Sequence, residues 1–183
     1  MQELRDYIRQ QVAAAFDDAD EIVQGSVDAF CDQAAEETLR PHAERFTREE
    51  LENHAALQRT WLAETDCDRL DAAFAELDDS GIVARQNFTC CQNCGHTEIG
   101  DEIEANEQKG LHPFGYVFYH MQDTERAVEG AGLYLAYGAQ NDSVKVAEQV
   151  VATLQNHGLS PKWDGSLKTR IFVPVDWKRR RSP

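Results

Sequence analysis

Apolar residues in the first eighty positions recur every three or four places, the spacing that gathers them on one face of an α-helix. Leu4, Tyr7, Ile8, Val12, Ala15 and Phe16 define a first amphipathic helix. A second, capped by Asp18 or Asp20, carries Val23, Val27, Phe30 and Ala34, and Pro41 is expected to stop or kink it. Thr47 with Glu50 three residues on has the spacing of a capping box and predicts a third helix reaching Trp61. Thr65 and Asp68 repeat that device ahead of Leu70, Phe74 and Leu77, with Gly81 as the stop.

Beyond residue 81 the period shortens. Residues 82–89 read as a strand and 97–109 as a helix with Ile99 and Ile103 on one face. Residues 115–120, rich in aromatics, read as a second strand. A polar segment at 122–130 leads to a third strand at 133–137. Asn141 or Asp142 caps a helix striped by Val144, Ala147, Val151 and Leu154, which Gly158 and Pro161 end. A last strand spans 171–177, and Pro174 marks it as a sheet edge. The order strand, helix, strand, strand, helix, strand is that of the split βαβ unit. The expected fold class is therefore α+β: an acidic helical region over 1–81, a ferredoxin-like (βαββαβ) antiparallel sheet domain over 82–177, and a loose basic tail over 178–183.

Charge divides the chain in the same place. The formal total is −15, and residues 1–81 hold 21 acids against 7 arginines and no lysine, a net of −14. Residues 82–183 hold 12 acids and 11 bases, a net of −1. An acid-rich first half repels phosphate, which argues against binding duplex nucleic acid there. It suits solvated helix faces or, alternatively, docking of a basic protein through residues 1–81. No apolar run approaches the ~18 residues of a membrane span, and MQELRDYIRQ lacks the features of a signal peptide. The expected location is the cytoplasm, where thiols stay reduced.

That expectation gives weight to one stretch. Three of the five cysteines, Cys90, Cys91 and Cys94, fall within five positions in FTCCQNCGH, and His96 follows them. Cys91 and Cys94 have the C-x-x-C spacing of half a zinc knuckle, in which thiolates take two tetrahedral positions. Cys90, His96, His112 or His120 would have to complete the set, because no second C-x-x-C exists. His120 enters through the expected topology. The first two strands would run parallel with the third between them, so the cysteines and His120 would end two strand spacings apart, about 10 Å.

Two other readings compete with zinc. A C-x-x-C between a strand and a helix is also a redox arrangement, and a helix N-terminus nearby favours the thiolate. Adjacent small thiols can equally be packing residues. A Cys/His nucleophilic pair lacks any marked orienting acid or oxyanion hole, so no catalytic residue is assigned. No phosphate-binding glycine loop, H-E-x-x-H or G-x-S-x-G is present. The segment DADEIV fails as a calcium loop because Ile22 and Val23 stand where oxygen ligands and glycine are needed. Cys31 and Cys67 lie in helical stretches and are expected to pack or face solvent.

Residues 82–138, with FTCCQNCG, GYVFYHMQDTE and EGAGLYLAYG, resemble a bacterial family known only as a domain of unknown function. The helix DCDRLDAAFAELDDSG ahead of them shares the likeness. The resemblance implies a bacterial, cytoplasmic protein and carries no established activity, cofactor or catalytic residue.

Overall fold

The structure, a computed structural model, describes residues 1–181. The chain forms two compact units: Met1–Ala63 with the C-terminal residues from Lys178, and Glu64–Trp177. The boundary thus precedes the fourth helix, where sequence reading set it at 81/82. Among the described residues no helix is long and apolar enough to cross a membrane.

The first unit holds α1 (Gln2–Ala14), α2 (Ala19–Phe30) and α3 (Glu36–Gln58). Their apolar faces meet in one core, with Leu4, Ile8 and Val12 from α1, Ile22, Val23 and Val27 from α2, and Leu39, Ala43 and Phe46 from α3. Asp18 caps α2 through a full capping box with Glu21. Pro41 neither stops a helix nor separates two; α3 runs through it. The proline lies in the second turn on the solvent side. The carbonyl it cannot pair with, that of Glu37, belongs to an exposed residue and can be hydrated. Thr47 and Glu50 are therefore mid-helix residues and not a cap. The buried Thr47 hydroxyl has no partner among the described residues, and Glu50 takes Arg5 at 2.8 Å.

The basic tail, expected to be loose, is tied into this unit as far as it is described. Arg181 donates to the carbonyls of Asp17 (2.7 Å), Val12 (2.9 Å) and Gln11 (3.2 Å), supplying donors to the open C-terminal end of α1. Ser182 and Pro183 lie outside the described residues.

The second unit comprises α4 (Asp66–Asp79), β1 (Ile82–Arg85), α5 (Gln92–Gln108), β2 (Gly115–Phe118), α6 (Met121–Val128), β3 (Leu133–Gly138), α7 (Ser143–Asn156) and β4 (Ile171–Val173). The α+β class holds, with a mixed four-stranded sheet in the order β1-β2-β3-β4. This is not the ferredoxin-like order, which would insert β3 between β1 and β2. Here β1 pairs directly with β2 in parallel, and β2–β3 and β3–β4 are antiparallel. Hydrophobic periodicity tells which face a residue takes, not which strand lies beside it. Two glycines favour the observed pairing. A Cβ on Gly138 would lie 2.5 Å from the Tyr116 hydroxyl on the neighbouring strand, and one on Gly115 would lie 2.9 Å from the Gly138 carbonyl.

Alternate residues of β2 serve opposite faces. Gly115 gives way to Val146 of α7 on one side, while Phe118 meets Gly95 of α5 on the other. α4 and α7 pack together against β1, β2 and β3. On the α5 side, Val83, Ile99, Phe118 and Ala136 form a small core with Phe88, Ile103 and Tyr116 around it. Two further departures from the sequence reading shape the site. The segment at 122–130 contains a helix, α6, and α5 begins at Gln92 instead of Thr97, so the cysteines open a helix rather than occupy a free loop.

Candidate functional site: a thiol cluster beside a basic pocket

The expected strand over 82–89 ends early, at Arg85. Asn87 (φ 50°) and Thr89 (φ 58°) adopt the left-handed conformation, which breaks the extended run. Asparagine tolerates that region, whereas a β-branched threonine is strained there and must be held by its surroundings. The holding contacts are visible. Phe88 N–H donates to the Tyr119 carbonyl (2.8 Å) and Met121 N–H to the Thr89 carbonyl (3.1 Å). Thr124 donates its hydroxyl to Asn87 Oδ1 (2.7 Å), and Thr89 donates its own to the Cys91 carbonyl (3.2 Å). The turn after β1 is thereby stitched to the start of α6.

From that turn the chain enters α5 with Cys91 as its N-cap residue. One helical turn separates Cys91 from Cys94, and Cys90 folds back over the same turn. Cys90 Sγ lies 3.4 Å and Cys91 Sγ 3.7 Å from Cys94 Sγ. All three sulfurs fall within 4.8 Å of one another. Cys90 is exposed and the other two are half-buried, so the cluster is accessible. Cys91 makes no capping hydrogen bond of standard geometry. The amides of Cys94 and Asn93, together with the neighbouring thiols, nevertheless hold its thiol below the ordinary range. Cys94, facing both other sulfurs, is pushed up to about 12. Those two observations agree in direction: one negative charge is stabilised on Cys91, and a second on Cys94 is opposed.

None of the candidate imidazoles, of His96, His112 and His120, joins the three sulfurs among the described residues. His96 lies on the next face of α5, where its ring packs edge-on to Phe118 (centroids 5.3 Å) and its Nδ1 lies 3.3 Å from the Tyr116 hydroxyl. Burial and the charge of Arg170 keep it below its usual pKa. His120 is the N-cap of α6. Its Nδ1 accepts from Asp123 N–H (3.3 Å) and its Nε2 lies 3.0 Å from Asp123 Oδ2, so both nitrogens are engaged. Burial lowers its pKa, Asp123 opposes that, and Arg170 and Arg126 add to it. Elsewhere, His112 is exposed, His157 pairs with Glu76 at 2.8 Å and Cys67 is buried in α4.

What sequence reading missed lies on the far side of Cys91. A pocket of about 290 Å³ is lined by Cys91, Asn93, His120, Asp123, Arg126 and Arg170, among others. Asp123 is 1% exposed. Its Oδ2 takes Arg170 at 2.9 Å, and its Oδ1 has no partner among the described residues. Sequence offered one clue to this arrangement: His120 and Asp123 have capping-box spacing, with histidine in the place usually taken by serine or threonine. Arg170, just ahead of β4, carries no local signal at all.

Fold and site together define an α+β protein with a surface trio of thiols at the head of a helix. The chain belongs to the family described as Domain of unknown function (DUF6891), which it matches over residues 1–181. The likeness noted in the sequence is therefore confirmed, and it extends to the N-terminal helices. No curated protein and no solved structure matches the chain.

Proposed function

We propose that the protein binds a thiophilic metal ion, zinc being the reference case, through Cys90, Cys91 and Cys94. The observation that carries this reading is the spacing of the three sulfurs. Zn–S bonds of ~2.3 Å in a tetrahedron place neighbouring sulfurs about 3.8 Å apart. Two pairs here lie at 3.4 and 3.7 Å, and all three within 4.8 Å. The three thiols supply at most three positions, and the fourth falls to an outside ligand or to a rotated His96. Three protein ligands with an exchangeable fourth position suit metal exchange, sensing or catalysis better than a closed structural centre.

The test is elemental analysis of protein purified with and without chelator, followed by zinc titration of the reduced chain. One equivalent per chain, lost in Cys94→Ser and kept in Cys31→Ser, supports the reading; absence of stoichiometric zinc, iron or copper removes it.

The unequal thiols favour a second reading, in which Cys91 attacks a disulfide and Cys94 resolves it. Counting free thiols under mild oxidant separates the two: a reversible Cys91–Cys94 disulfide without metal uptake selects redox work. A basic protein docking on the acidic helices is a separate proposal, supported by the charge of residues 1–81 and tested by salt-sensitive capture.

A further inference from the structure

We infer that the pocket beside Cys91 binds a protonated phosphate group, either inorganic phosphate or the end of a small phosphomonoester. The inference does not depend on the metal reading, because it rests on the other wall of the pocket.

Its location is the first argument. β1 and β2 are parallel neighbours, and each hands over to a helix, α5 after β1 and α6 after β2. The pocket lies where those two helices begin, since Cys91 and His120, its lining residues, are their N-cap residues. Ligands of open α/β sheets gather at the carboxyl ends of parallel strands, and helix N-termini offer amides and positive potential to anions. The first turn of α5 carries no acidic residue.

Charge is the second argument. In a chain of net −15, this pocket gathers two guanidiniums, Arg126 and Arg170, against one carboxylate. Both guanidiniums lie over the Tyr134 ring, at 5.4 and 5.2 Å. Arg170 is committed in part to Asp123 and to the Tyr134 carbonyl. Arg126 is exposed and pairs with no carboxylate among the described residues, so its donors are free for a ligand. Guanidinium forks match phosphate oxygens in geometry as well as charge.

Asp123 selects among anions. Its Oδ1 is a buried acceptor with no donor among the described residues, and an unmet acceptor of that kind is costly. A fully ionised anion would only repel it. A phosphate that keeps one O–H can donate to Oδ1 while its other oxygens face the arginines. Sulfate, which has no proton to give near neutral pH, cannot do both.

The experiment is calorimetric titration at pH 6 of reduced, chelator-treated protein with sodium phosphate, glycerol phosphate and sodium sulfate. Saturable phosphate binding at one site, at least tenfold tighter than sulfate, is expected. Glycerol phosphate binding as well as or better than the inorganic ion assigns the site to esters; much weaker binding assigns it to the free ion. Arg126→Gln, a change outside the core, should weaken phosphate at least tenfold. Asp123→Asn, checked for folding by circular dichroism, should bring sulfate and phosphate within a few-fold of each other. Cys94→Ser should leave phosphate binding intact, so loss of the metal reading and loss of this one are told apart. No saturation by either phosphate probe, equal affinity for sulfate, or indifference to Arg126→Gln each overturns the inference.

Discussion

A Cβ placed on Gly95 would lie 2.4 Å from the Phe118 ring, closer than real side chains approach. Gly95 is therefore the point at which the cysteine-bearing first turn of α5 rests on β2, and the absence of a side chain sets how near the thiols sit to the sheet. The ring in question is fully buried, so it has little room to yield. Gly95→Ala should destabilise the second unit by about 1–3 kcal/mol from overpacking, partly offset by the ~1 kcal/mol that alanine gains over glycine in a helix. Urea unfolding measures the net loss. A variant as stable as the parent would mean that the turn shifts without cost.

The two thiols of the C-x-x-C differ in readiness to react. With Cys91 held below the ordinary thiol range and Cys94 pushed up to about 12, brief treatment of the metal-free protein with iodoacetamide at pH 7 should alkylate Cys91 at least tenfold faster. The thiolate is the nucleophile, so the ratio reports its population. Peptide mass spectrometry gives both rates. Equal rates, or Cys94 leading, would show that the first turn of α5 does not polarise the pair.

The thiols were legible in the sequence because cysteine spacing is local and a helical turn brings i and i+3 together whatever the surrounding fold. So were α1, α2 and α4, whose apolar stripes and Asp18 and Thr65 caps sit in the expected places. Pro41 misled because it sits in the second turn of α3 on an exposed face, where the Glu37 carbonyl it orphans can be hydrated. α6 was hidden by its eight-residue length and by a histidine cap. Strand order was beyond reach: the contact that seats β3 beside β2 is between Tyr116 and Gly138, twenty-two positions apart. Arg170 reaches the pocket only because β4 closes the sheet, so the basic wall had no signature to find.

His54 gives a pH dependence with a defined sign. It is buried in α3, its ring edge-on to Trp61 at 5.3 Å. Burial, and then the charge of Arg181, hold it below 6.5, against a smaller opposing hydrogen bond to the Arg179 backbone. Below about pH 6.5 the unfolded chain therefore takes up a proton that the folded ring refuses. The stability due to the neutral ring is present above that pH and is lost as the pH falls. NMR titration of the His54 ring should give a midpoint below that of a free histidine. A midpoint at or above 6.5 would contradict the buried, neutral ring.

Arg181 ties these threads together within the first unit. Its guanidinium donates to three carbonyls, those of Gln11 and Val12 in the last turn of α1 and that of Asp17 just beyond it. Hydrogen bonds from a charged donor contribute about 1.5–3 kcal/mol, and removing the donor also leaves acceptors unmet. Arg181→Ala should therefore lower the stability of the helical unit by roughly 2 kcal/mol. Arg181→Lys should recover only part of it, since a single ammonium cannot span the three acceptors with the same planar fork. The same replacement by alanine removes the positive charge that opposes protonation of His54, so the His54 midpoint should rise. Unfolding and titration of one variant thus check one contact by two routes. Loss of stability without movement of the His54 midpoint would place the guanidinium at the end of α1 but out of electrostatic reach of the imidazole.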